Sequence, residues 1–84
     1  MADLKGLIEA VARALADQPD AVSVRESDRR GATVYELQVA SGDLGRVIGR
    51  QGRTAAALRT LLASAAEADD KRVSLDIRDQ TGRS

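Results

Sequence analysis

The stretch Asp43-Leu44-Gly45-Arg46-Val47-Ile48-Gly49-Arg50-Gln51-Gly52-Arg53-Thr54 decides how this chain is read. Leu44, Val47 and Ile48 give one or two amphipathic helical turns. Thr54, Leu58, Leu61, Leu62 and Ala65 mark one stripe of a longer helix over about 53–67, filled elsewhere mostly with alanine, a strong helix former. Between the two helices lies Gly49-Arg50-Gln51-Gly52. The second helix turns its free N–H groups and the positive end of its dipole into that joint. Glycines there let a sugar-phosphate backbone approach the main chain, where a side chain would hold it off.

A G-x-x-G spacing is weak evidence by itself and occurs twice in this chain. Gly42-Asp43-Leu44-Gly45 carries an acid, which repels phosphate and suits a loop that caps a helix. Gly49-Arg50-Gln51-Gly52 carries Arg50 inside, Arg53 just after and Arg46 one turn before. Arg46, Arg50 and Arg53 are therefore placed at the site. Arg59 falls on the other flank of the helical stripe and stays doubtful. On these features alone, a nucleic-acid site and a merely solvated helix surface remain alternatives.

Working outward, Leu4, Leu7, Ile8, Val11, Ala12 and Leu15 recur on one helical face. Asp3 is a candidate N-cap, and Pro19 ends this first helix, over 4–17. Val22, Val24 and Glu26 share one face of an alternating segment; Thr33, Tyr35, Leu37 and Val39 share one face of another. The charged, glycine-broken run Ser27 to Ala32 joins them as a hairpin loop. Val73, Leu75 and Ile77 alternate with Ser74, Asp76 and Arg78 as a third strand. The expected fold is α+β in the order α-β-β-α-α-β. It forms one domain over residues 1–79, a three-stranded mixed sheet with helices packed on one face, and 80–84 as a flexible C-terminal tail.

Composition narrows the chemistry. The 84 residues contain no Cys, His, Trp or Phe, and a single Tyr. Thiolate chemistry, disulfides and the commonest general base and transition-metal ligand are all missing. No enzyme activity, cofactor, metal or small-molecule substrate is expected. No apolar run reaches the ~18 residues of a membrane span, and the N-terminus lacks signal-peptide character, so a cytoplasmic protein is expected. Leu, Ile and Val occupy 19 positions, enough for a thin aliphatic core that association would help. The chain has 13 basic and 13 acidic residues, which by itself argues against a nucleic-acid partner. The balance is uneven along the chain. Residues 44–66 hold four arginines and no acid, for +4, and the remaining 9 bases and 13 acids give −4.

The V-I-G-R-Q-G run of residues 47–52, set between two helices, resembles the signature of KH domains, and the element order resembles their type II arrangement. The N-terminal helix closing near Gln18-Pro19-Asp20, the hairpin, Ala55 to Ala66 and Lys71-Arg72-Val73 extend the resemblance to the KhpA family of bacterial single-KH RNA-binding proteins, over about residues 4–79. The resemblance implies a groove for about four single-stranded nucleotides. Gly49, Arg50, Gln51 and Gly52 would clamp the RNA backbone, and Ile48 would help floor the groove. It also implies an RNA chaperone or post-transcriptional regulator, linked to cell length and cell-wall homeostasis. Such a protein works as a homodimer or with a larger KhpB-like KH partner. Lysines common in the family's loop are mostly arginine here, which keeps the charge. Two other readings stay open: a KH-like protein-interaction module and single-stranded DNA binding. Tyr35 is read chiefly as a core residue.

Overall fold

A computed structural model describes residues 3–68 and 72–81. The elements are α1 (Leu4–Leu15), β1 (Ser23–Arg29), β2 (Ala32–Val39), α2 (Leu44–Ile48), α3 (Arg53–Ala68) and β3 (Arg72–Asp79), with single 3-10 turns at Pro19–Ala21, Ser41–Asp43 and Arg50–Gly52. This is the expected α-β-β-α-α-β order. No helix among the described residues is long and apolar enough to cross a membrane.

The sheet order is β1-β2-β3. β1 and β2 are antiparallel, with Val24 opposite Leu37 and Arg29 opposite Ala32. The hairpin loop is shorter than the sequence suggests. Ser27, Asp28 and Arg29 belong to β1, and only Arg30 and Gly31 turn, both with positive φ (52° and 82°). That is the backbone a two-residue turn needs to match the strand twist. β2 and β3 are parallel, with Tyr35 beside Leu75 and Leu37 beside Ile77. A parallel pair cannot be closed by a hairpin, so α2, the glycine joint and α3 form the crossover.

All three helices cover one face of the sheet. Ile8 and Ala12 of α1 are fully buried with Val22, Val24, Leu37 and Val39, and Val47 of α2 joins them. α1 stops at Leu15, two residues before the expected end, because Ala16 is already extended. Asp3 caps it as expected, accepting from the Gly6 N–H. On α3 the buried stripe is Ala55, Leu58, Leu62 and Ala66 rather than one centred on Thr54, Leu61 and Ala65. Leu61 is 56 % exposed. Small alanines at 55 and 66 let the helix lie close on the sheet, and this turns Leu61 outward. β3 includes Asp79, which is buried and accepts from both the backbone N–H and the hydroxyl of Thr81. Residues 82–84 of the expected tail and Asp69 to Lys71 of the expected exit loop lie outside the described residues.

Tyr35 is buried in the core and offers no ring face to a base. Burial, then the carboxylates of Glu26, Asp3 and Asp28, push its phenol above the usual value of 10. The phenol therefore stays neutral in the fold, and stability falls once pH climbs past the ordinary tyrosine range.

Asp43 behaves differently from the helix cap suggested by its position. It is 1 % exposed, and its side chain makes no capping bond to α2. Its two carboxylate oxygens instead accept the N–H groups of Asp17 and Gln18 at 3.0 and 2.9 Å. These two donors lie just past the C-terminus of α1, where Pro19 blocks a continuing helix. One carboxylate thus staples the end of α1 to the start of α2. Replacing Asp43 by Ala should cost about 2–3 kcal/mol, because two partly buried N–H groups lose a charged acceptor. Urea unfolding measures this, with Asp43→Asn expected to lose less because it keeps one carbonyl acceptor.

Candidate nucleic-acid interface

The joint between α2 and α3 is a tight turn stabilised by its own backbone. The Gly49 N–H donates to Gly45 C=O, closing α2, and the Gly52 N–H donates back to Gly49 C=O, both at 3.0 Å. The Arg53 N–H donates to Arg50 C=O and opens α3. Gly49 has φ 83° and ψ 167°, a region open in practice to glycine alone. It is also sterically tight. A Cβ there would meet Oγ1 of Thr54, its Cβ at 2.8 Å and its backbone N at 3.0 Å. Gly52 has φ 71° but open space around it. Between them Gln51, at φ 56° and ψ 26°, takes the left-handed conformation without being glycine.

The side chains of this segment divide into three groups. Arg50, Gln51 and Arg53 are exposed at the turn, and Arg53 Nη2 donates to Gln51 Oε1 at 3.4 Å. Arg46 is also exposed but turns toward acids, with Nε 3.7 Å from Asp43 Oδ1 and Nη2 3.8 Å from Asp17 Oδ2. Ile48 is half-buried and faces a cavity of about 280 Å³ that opens beside Gly52, bounded by Ala55 and Arg59 of α3 and by Asp76 and Ile77 of β3. A second cavity of about 310 Å³ continues along the same two elements past Leu62 and Val73. The glycine turn therefore stands at the head of a groove between α3 and β3.

Arg59 lines both cavities. The sequence pattern puts it on the flank away from the site, because that pattern centres the stripe one residue away. With the stripe at Ala55, Leu58 and Leu62, Arg59 falls on the flank that faces β3. Its Nε and Nη2 donate to Leu75 C=O at 3.4 and 3.3 Å.

The two glycines should respond differently to alanine. Gly52→Ala bears only the conformational cost, about 1–2 kcal/mol. Gly49→Ala adds a clash with the Thr54 backbone and should cost distinctly more. Thermal or urea unfolding of the two variants gives the order directly.

The model of the KhpA/KhpB KH domain matches residues 5–77. RNA-binding protein KhpA of Treponema pallidum is 49 % identical over 73 residues, covering 87 % of this chain and 91 % of that protein. The KhpA of Halalkalibacterium halodurans is 49 % identical over 76 residues, covering 90 % and 100 %. That of Chlamydia trachomatis serovar D is 40 % identical over 77 residues, covering 92 % and 99 %. Among solved structures, the fold is shared with part of Era, crystallised with MgGDPNP and nucleotides 1506–1542 of 16S ribosomal RNA. The TM-score is 0.54 at 15 % identity, over 90 % of this chain and 29 % of Era. A glycine turn at the head of an α3–β3 groove, on this α-β-β-α-α-β frame and with relatives of this length and identity, places the chain in the KhpA/KhpB KH-domain family.

Proposed function

We propose that this protein binds single-stranded RNA without catalysing a reaction, gripping the backbone at Gly49-Arg50-Gln51-Gly52 and laying the bases in the groove between α3 and β3. One observation carries this reading. Among the described residues, the one segment joining two helices through positive-φ glycines has Gly52 on the wall of the groove and carries the exposed side chains Arg50 and Arg53. Phosphate would meet the N-terminal N–H groups of α3 and the two guanidinium groups. Ile48 would sit under the first base. Arg46, held toward Asp17 and Asp43, would add long-range attraction more than contact. The names of the KhpA relatives support RNA as the partner. Cytoplasmic work as an RNA chaperone or post-transcriptional regulator fits such weak, short-site binding.

Few phosphates are contacted in this reading. Affinity should fall with salt at about −0.7 in log–log slope per phosphate. Changing Arg50 and Gln51 together to Asp reverses the charge at the clamp. The double variant should keep its circular dichroism spectrum and lose RNA binding by at least about tenfold. Binding equal to wild type would show the clamp to be elsewhere. Competition with DNA of the same sequence tests the single-stranded DNA alternative.

A second reading adds a partner. Leu7 and Leu15 on α1 and Leu61 on α3 are exposed at 40 %, 38 % and 56 %, in a chain with little apolar residue to spare. We infer that these helical faces pair with a second copy or with a KhpB-like KH protein. Sedimentation of the wild type should reveal a dimer that Leu61→Glu weakens; a monomer at all concentrations leaves only the larger partner to be tested by co-purification.

A further inference from the structure

The clamp leaves one well-placed side chain unused. Arg59 stands at the junction of the two groove cavities, tied to Leu75 C=O. β3 is a terminal strand of the sheet. A guanidinium is a rigid plane with five N–H donors. The side carrying Nε–H and one Nη2 proton is engaged with Leu75. The end formed by one Nη1 proton and the other Nη2 proton is a parallel fork, and Nη1 has no hydrogen bond or ion pair among the described residues.

We propose that Arg59 is a base-reading residue, anchored on Leu75 and presenting this fork to a base edge that carries two adjacent acceptors. Guanine offers O6 and N7; cytosine offers O2 and N3. The proposal rests on the reading of the groove as an RNA site. Three features favour a base over a phosphate at this point. Ile48, Ala55 and Ile77 on one side of Arg59, and Leu62 and Val73 on the other, offer aliphatic surface that suits a flat ring. Asp76 lines the same cavity as Arg59 and is paired with Arg78 at 2.8 Å, so an anion there would meet an ion pair already satisfied. The backbone already has its place at the glycine turn. Each cavity is near the lower end, about 300 Å³, of small-ligand pockets, which suits one base.

Adenine and uracil lack such an edge. On adenine the N6 amino group lies beside N7 and N1, and on uracil N3–H separates the two carbonyls. Either base would set a donor against the guanidinium and leave a polar group unpaired in the groove. Lysine could supply the charge but not the fork. The bond to Leu75 also limits the rotamer freedom that Arg59 would otherwise lose on binding.

The test uses fluorescence anisotropy with labelled octauridines in which one central uridine is replaced by G, C or A. Wild type should bind the G or the C oligomer about 5- to 100-fold more tightly than the A and U oligomers. Arg59→Lys should keep the salt slope and the binding to octauridine, and lose that preference. Arg59→Gln, whose amide can still reach Leu75, should lose the preference as well; unfolding curves check both folds. Equal binding of all four oligomers by wild type, or a preference retained in both variants, overturns the proposal and leaves the clamp standing. No binding of any oligomer by wild type overturns the clamp and this inference together.

Discussion

The Asp43 carboxylate is the interaction on which the placement of everything else turns. α2 has five residues, too few to hold a helical conformation by itself. Two things fix it. Val47 is fully buried beneath it, and Asp43 binds the backbone where α1 has just ended. The carboxylate thereby sets the distance between the end of α1 and the first residue of α2. Gly49 follows α2 immediately, so the glycine turn inherits that position. Asp43 has little choice of partner. Buried to 1 % exposure, it needs donors, and the residues before Pro19 supply two that no helix can use.

The same interaction redistributes the basic charge. Four arginines and no acid over residues 44–66 suggest a strongly positive segment. In the folded protein Arg46 lies beside Asp43 and Asp17, and Arg59 is held on the Leu75 carbonyl of β3. Arg50 and Arg53 are left at the mouth of the groove, together with the N-terminus of α3. The proposed site, two guanidinium groups and a helix end, is local. It has little reach beyond the Debye length of about 8 Å at physiological salt. Overall neutrality then fits a protein that holds a short single strand without coating nucleic acids at large.

Much of this was legible in the residues. The alternation of Val22 and Val24, of Tyr35, Leu37 and Val39, and of Leu75 and Ile77 gave the correct inward faces, because a strand admits only two. The boundaries of α3 followed from its alanines and from Gly52. The errors came where sequence underdetermines packing. A helix face can rotate by one residue at little cost when its candidates are alanine and leucine in turn, so the burial of Ala55 and Ala66 over Leu61 depended on how closely the sheet admits the helix. The Asp43 staple joins residues 25 and 26 apart, and no local pattern announces it. The role of Arg59 was hidden for the first of these reasons, since its flank depends on where the stripe is centred.

That rotation matters beyond bookkeeping of the core. It leaves the small residues Ala55 and Ala63 lining the groove between α3 and β3. With Tyr35 buried and no Phe or Trp in the chain, no aromatic ring is available to stack on a base. Aromatic stacking tolerates every base, because each has a π-face. A groove with aliphatic walls keeps only shape and hydrogen bonds as means of holding a ring, and hydrogen bonds depend on which edge is offered. If the groove holds bases as proposed, the absence of aromatic residues shifts the burden of recognition onto the polar groups along it, and Arg59 is the guanidinium that lines both of its cavities.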